Sequence, residues 1–517
     1  MLSFQKDWLQ SRENYNRTAT GVSVDGQRDY LYQACVCFPG AEPQVEQAVN
    51  KRLEELELVA CPYSGLPIVQ LLTQFNDRLT ERARQNLRLF LKASRHDWLK
   101  ELEVHKYNSY RLLSIVSLLG IDVLFQDQEA ADAARDALQD TLDHCKQYSL
   151  PDEFLAPFYT GLQLAALAEI RQLPVDDICL KLAEELEDFI WQGVLRHYEP
   201  GILELLGPHC RGYTSELAGH FQAILACIRR LLSDEAGFTF LDTLWNPDYA
   251  DRILPHGTLE AVRLYALYFS AFPYRCDPET RTRWRQRKTP CCFTETAHTD
   301  ASRDRSIKEK VADSVPFDYP EGMIQITSYL DDNLALGWAD REYENGMACP
   351  SLQAFYRKNG TTKAFFPKLV REDRYVGEWN EYPNLHLKLG PGNFPDDGRK
   401  TVERVDDALR LTYVPRKICC DMETMKLDLI FASQFSMPDQ VLVDGKPLTS
   451  FDGKRRYPVT TVTVEDAGWR FRFVPLGTEG YMKFVLRNDF LNLEWVQSAK
   501  TDVGMLWQMD LMVEKLS

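Results

Sequence analysis

The run Ile326-Thr-Ser-Tyr-Leu-Asp-Asp-Asn-Leu-Ala-Leu-Gly-Trp-Ala-Asp-Arg-Glu-Tyr-Glu-Asn-Gly346 lies just beyond Pro273 to Val315, the stretch over which the chain changes its pattern. Entering it, Met323 to Tyr329 alternate apolar with polar residues, the period of a half-buried strand. The same alternation recurs at Ala364–Pro367, Leu409–Val414, Lys426–Ser433, Val441–Val443, Val459–Val464, Trp469–Val474 and Tyr481–Leu486. Asp444-Gly445, Asp452-Gly453 and Glu479-Gly480 punctuate these segments with the residues that tight hairpins need. This part of the chain reads as an antiparallel β-sandwich.

Upstream the period is helical. Gln44–Glu57, Glu81–Ala93, Tyr110–Phe125, Glu129–Tyr148, Val175–Leu195, Thr214–Leu232 and Gly257–Ser270 place apolar residues three and four apart with charges between them. Short turns such as Ser149-Leu150-Pro151-Asp152 and Leu173-Pro174 separate them, so antiparallel helical hairpins are expected, about five or six of them. No fixed repeat of the solenoid type occurs, and closure into a ring would give the inner helices a central cavity. The fold expected is therefore an N-terminal (α/α)5-6 toroid over residues 1–280, a linker over 281–315 and a C-terminal antiparallel β-sandwich over 316–517.

Bulk properties narrow the function. The 517 residues carry 60 Lys+Arg against 76 Asp+Glu, a net charge of −16 that disfavours a nucleic-acid binder. With 44% hydrophobic residues the chain can bury a large core, and no stretch is apolar for long enough to span a bilayer. The 13 cysteines include no Cys-x2-Cys pair, and the expectation is mostly buried free thiols in a reducing compartment. The N-terminus shows no basic and apolar export signal, which sets the expected location as cytoplasmic. No phosphate-binding loop of the GxxxxGK[ST] form is present, and no cofactor is expected. The nine histidines are scattered, so no metal motif is read, although ligands from distant residues would leave no such spacing.

The run 326–346, followed by Leu352–Arg357, resembles the early sandwich strands of the heparinase II/III-like and chondroitin AC lyase-like polysaccharide lyases. Tyr107-Asn108-Ser109-Tyr110 and Gly212-Tyr213-Thr214 are similar to toroid segments of the same superfamily. The resemblance implies cleavage of a uronic-acid-containing, anionic oligo- or polysaccharide by β-elimination. That reaction removes a proton beside a carboxylate, so the carboxylate must be neutralised by donors, a base must take the proton and an acid must protonate the leaving oxygen.

His209-Cys-Arg-Gly-Tyr-Thr-Ser-Glu216 holds these chemical types together. Tyr213 is the candidate acid and base, His209 the alternative base, and Arg211 the cation that favours phenolate; Tyr213 could also simply pack at a helix start. By the resemblance, Asn108 would neutralise the carboxylate; it could equally be a helix N-cap. His386, among the aromatic residues of the β half, is a candidate for reaching into the cleft, as a sandwich loop does in related lyases. His105, Lys106, Tyr159, Trp191, Trp245 and Glu216 are candidate substrate contacts, the aromatic ones by stacking on sugar faces unless they belong to the core. The basic run Arg281–Lys288 either guides an anionic glycan or clamps helix ends. Two other readings remain open: a glycoside hydrolase using a carboxyl pair among Glu199, Glu204, Glu216, Asp242 and Asp248, and a non-catalytic glycan-binding protein. Residue pattern leaves the oligomeric state undetermined.

Overall fold

The computed structural model describes residues 24–58, 61–104, 107–202, 204–210, 221–232, 259–299, 322–343, 351–371, 398–415, 423–432, 437–487, 490–498 and 504–516. Helices fill the N-terminal half: α1 (Val24–Cys37), α2 (Pro43–Glu55), α3 (Gly65–Gln74), α4 (Glu81–Val104), α5 (Ser109–Phe125), α6 (Gln128–Cys145), α7 (Tyr159–Ile170), α8 (Asp177–His197), α9 (Phe221–Leu231), α10 (Leu259–Phe269) and α11 (Pro278–Gln286). None is long and apolar enough to cross a membrane.

The helices form two layers. Each of α1, α3, α5, α7 and α9 packs on the next, α9 packs on α10, and α10 packs back on α1. In that last contact Tyr32 stacks on Tyr268 with ring centroids 4.0 Å apart. The Tyr265 hydroxyl donates to Asp29 Oδ1 at 3.0 Å. Around them α2, α4, α6 and α8 pack as a second row. The sequence explains which helix lies where. α2, α4, α6 and α8 have one apolar stripe and a charged outer face, whereas α7 is buried along its whole length. A helix that is apolar on every side has to be an inner one.

A two-stranded ribbon, β1 (Tyr198–Glu199) and β2 (Glu204–Leu205), follows α8. The C-terminal half holds two antiparallel sheets. The first contains β3 (Cys291–Thr299), β4 (Gly322–Leu330), β5 (Leu334–Ala339), β6 (Leu352–Lys358), β7 (Thr361–Arg371), β10 (Thr424–Ala432), β15 (Tyr481–Arg487) and β16 (Phe490–Ser498), in the order β15-β16-β10-β7-β6-β5-β4-β3. The second contains β8 (Gly398–Val405), β9 (Ala408–Pro415), β11 (Gln440–Val443), β12 (Lys446–Pro447), β13 (Val462–Asp466), β14 (Trp469–Pro475) and β17 (Trp507–Lys515), in the order β12-β11-β13-β14-β17-β9-β8.

One core fills the space between the sheets, with Leu336, Tyr356 and Phe365 facing Leu411, Phe471 and Trp507. The first sheet is also covered on its other side. Ala297, Ile324, Ile326, Ala339 and Tyr343 join the core of the helical half, and Ile202 and Leu206 seal Phe355, Phe366 and Ile430. Burial on both faces explains why β5 reads Leu-Ala-Leu-Gly-Trp-Ala without alternation. β3 lies inside the 281–315 stretch expected to be a linker, and it forms the edge of the first sheet next to the helices.

Candidate functional site

Three loops meet where the helical half touches β3, β5 and β6. The first runs through Tyr107 and Asn108 into α5. Asn108 caps that helix: its Oδ1 accepts from the backbone N–H groups of Tyr110 at 3.0 Å and Arg111 at 3.3 Å. The cap occupies the carboxamide oxygen and leaves the Nδ2 group as a donor. Capping and carboxylate neutralisation are therefore compatible on this one side chain.

The second loop, residues 149–158, precedes α7. Its Glu153 carboxylate accepts from Ser109 N–H at 2.8 Å, tying it to the first loop. Ser149 and Leu150 donate from backbone to the Thr296 carbonyl of β3 at 3.0 and 3.1 Å. Tyr107, Glu153 and Leu155 all have left-handed backbones, with φ of 63°, 54° and 50°. Non-glycine residues hold this conformation only where surroundings enforce it, and such positions concentrate at functional sites.

The third loop leads from β2 toward Tyr213. Cys210 N–H donates to the Phe154 carbonyl at 3.1 Å, which joins it to the second loop. The Tyr343 hydroxyl donates to the His209 carbonyl at 3.2 Å. Gly337 of β5 lies so close to Gly207 that a Cβ there would sit 1.7 Å from the Gly207 carbonyl oxygen.

His209 is wholly enclosed, with its ring 5.5 Å from that of Phe355. Its Nε2–H donates to the Leu205 carbonyl at 2.8 Å, and burial pushes its pKa down to about 3, so the imidazole is neutral. Tyr159 is buried at the start of α7, edge-on to Tyr110, and Trp191 is buried in α8, edge-on to Tyr274. In this structure both rings belong to the core. His105, Lys106, Arg211, Tyr213, Glu216, Trp245 and His386 lie outside the described residues.

Of the carboxylates considered for a hydrolase, Glu199 is paired with Arg287 at 2.7 Å. Glu204 is buried, accepts from Leu205 N–H at 3.1 Å, and has its pKa raised to about 8 by desolvation. Glu216, Asp242 and Asp248 lie outside the described residues. The basic run falls largely in α11. Arg287 donates to the carbonyls of Leu195, Arg196 and Tyr198, so it clamps the C-terminal end of α8, where cations are favoured. Arg341 pairs with its neighbour Asp340 at 3.2 Å, and its backbone bridges to Thr401 of the second sheet.

Sequence reasoning did not find one cluster at this end of the helices. The Asp152 carboxylate accepts from His144 Nε2–H at 2.9 Å through one oxygen and from His298 Nδ1–H at 3.1 Å through the other. Tyr107 stacks flat on His144, centroid to centroid 3.6 Å. The described cysteines are free thiols, most of them buried.

A family described as "Domain of unknown function (DUF8769)" matches residues 63–251. No curated protein matches the chain. Among solved structures, a heparan sulfate lyase HepC mutant from Pedobacter heparinus is similar at 11% identity and a TM-score of 0.32, over 98% of this chain and 75% of that one. Heparinase III is similar at 7% identity and a TM-score of 0.40, over 95% of this chain and 77% of that one.

Proposed function

We propose that the chain is a carbohydrate-active lyase that cleaves uronic-acid-containing oligo- or polysaccharides by β-elimination. In this reading its helical half is a closed α/α toroid and the reaction takes place where that toroid meets the first sheet. The observation that carries the reading is the convergence of the three loops. Asn108 and the segment entering Tyr213 lie about 100 residues apart in sequence, yet hydrogen bonds through Glu153 and Phe154 join their loops at one end of the helices. The return of α10 onto α1 supports ring closure.

In the proposed mechanism the Asn108 Nδ2 group and the Arg211 guanidinium donate to the uronate carboxylate. They stabilise the charge that builds up as the C5–H bond breaks. Tyr213, as phenolate, takes the C5 proton. The C–H electron pair becomes the C4–C5 double bond, the C4–O bond breaks, and the Tyr213 hydroxyl returns the proton to the departing oxygen. Arg211 favours the phenolate. Because His209 is enclosed and neutral, Tyr213 would be the base and His209 would hold the loop. His386 would close the cleft, and His105, Lys106, Glu216 and Trp245 would contact the glycan. Tyr159 and Trp191 would support it from the core.

Incubation with a panel of uronate-containing glycans tests this reading. The expected product absorbs in the ultraviolet through its new double bond, and Tyr213→Phe abolishes the signal. Release of saturated reducing ends without that absorbance would replace the lyase with a hydrolase.

A further inference from the structure

The geometry points to a divalent-metal site, of the zinc class, made by His144 of α6, Asp152 of the loop before α7 and His298 of β3. His144 and Asp152 are 8 residues apart, His298 comes from a strand 146 residues beyond Asp152, and one ligand atom from each lies within 4.8 Å of the others. They are two imidazoles and a carboxylate, a donor set that suits zinc and leaves a fourth position for water.

The distances fit after a small contraction. An ion held at about 2.0–2.1 Å from each tetrahedral ligand separates the ligand atoms by roughly 3.3 Å. The two His–Asp separations, 2.9 and 3.1 Å, run to different oxygens of Asp152, and one ligand atom from each residue lies within 4.8 Å of the others, so the donors need to draw in by about 1 Å around an ion. In the hydrogen-bonded arrangement each imidazole N–H points at a carboxylate oxygen. On binding, each ring would carry its proton on the nitrogen away from Asp152 and offer the facing nitrogen's lone pair to the ion. The carboxylate offsets one of the two positive charges.

The surroundings hold the donors in place. The Tyr107 ring lies flat against His144, with an interplanar angle of 1°, and Tyr148 flanks both imidazoles at 5.2 and 5.3 Å. The Asp152 carbonyl accepts from Gln163 Nε2 of α7 at 3.2 Å, and the neighbouring Ser149 and Leu150 are bonded to β3. Such supporting contacts fix the orientation of metal ligands. The Asp152 and His144 side chains are 6% and 10% exposed, whereas His298 keeps 20%, which gives an ion a way in. A bound ion would cross-link the helical half to the edge strand of the first sheet, next to the turn that carries Asn108. The site stands independently of the lyase reading.

The test uses the full chain after chelator dialysis, titrated with zinc sulfate by calorimetry and assayed for metal content. Cobalt(II) serves as a spectroscopic probe. The expected results are about one zinc per chain, visible tetrahedral cobalt bands, and a thermal midpoint that rises with zinc. His298→Asn keeps an N–H donor for Asp152 but replaces the imidazole nitrogen with a carboxamide oxygen, a poor zinc ligand. It should fold like the metal-free parent and bind at background level. Asp152→Asn serves as a second variant should His298→Asn not fold. Zinc content near zero in the parent, or unchanged in a folded variant, overturns the proposal.

Discussion

The Tyr343 hydroxyl, at the end of the first sheet's early strands, holds the carbonyl of His209, which lies four residues before Tyr213. Both residues are buried, so the bond fixes the loop that leads into the proposed acid and base. Tyr343→Phe removes about 1 kcal/mol of net hydrogen bonding. The thermal midpoint should drop by about 1–2 °C, while turnover on a uronate substrate falls several-fold. Melting curves run beside steady-state kinetics check this; a variant with lower stability and unaltered turnover would uncouple the loop from the chemistry.

Asn108 separates capping from catalysis by substitution. Asn108→Asp keeps an oxygen for the Tyr110 and Arg111 N–H groups, so stability should stay close to that of the parent. It also replaces a donor with a negative charge facing a uronate, and turnover should fall by about 100-fold or more. Asn108→Ala should cost about 1 kcal/mol through the lost cap. Chemical denaturation and product absorbance, measured on both variants, distinguish the two roles.

Gly337 is a packing position between the halves. A methyl group there meets the Gly207 carbonyl oxygen, a backbone atom, and Pro208 Cδ at 2.9 Å, so neither neighbour can move by a simple side-chain rotation. Gly337→Ala should cost about 3 kcal/mol or more, in the range of severe core overpacking. Gly445→Ala, where nothing lies within 4 Å of the added carbon, is limited to the strain of a positive φ of 72° and should cost about 1 kcal/mol. Comparing urea midpoints of the two variants tests the ordering.

Stability should depend on pH through five buried groups. Burial holds His197 and His209 down at about 3 from an ordinary 6.5. Their contribution is present above pH 6.5 and is lost as pH falls toward 3, because the unfolded chain takes up protons that the folded one refuses. Burial raises Glu169 and Glu295 to about 7 and Glu204 to about 8, from 4.5. Their contribution is present below pH 4.5 and is lost as pH rises through 7 and 8. Glu295 Oε2 lies 3.2 Å from His197 Nε2, so these two titrate as a pair, and stability should fall off toward both acid and alkaline pH. Glu204→Gln, which keeps an acceptor for Leu205 N–H, should raise the midpoint by a few degrees at pH 8 and give no gain at pH 4.5. A thermal scan across that range on both proteins measures it.

Local pattern was enough for several elements whose burial is one-sided. α4, α6 and α8 bury one stripe, and β9, β13 and β14 bury alternate residues, so period 3.6 and period 2 are written directly into their sequences. The same code is silent for elements enclosed on every side. α7 is apolar all round, and its helical period does not stand out from the sequence. β3 was concealed differently, since its Cys-Cys-Phe-Thr-Glu-Thr-Ala-His-Thr sequence follows a basic run and reads as linker.

Sequence by itself determined two unlike halves and a helix starting close to Asn108, because these depend on neighbours a few residues apart, whereas β3 falls inside the stretch read as linker. Tertiary structure decided which loops meet. His144 and Asp152 are 8 residues apart, but His298 reaches them across 146 residues, brought there by the packing of β3 against the helices. Packing of that kind depends on which buried surfaces fit together, and ligand spacing along the chain carries no record of it.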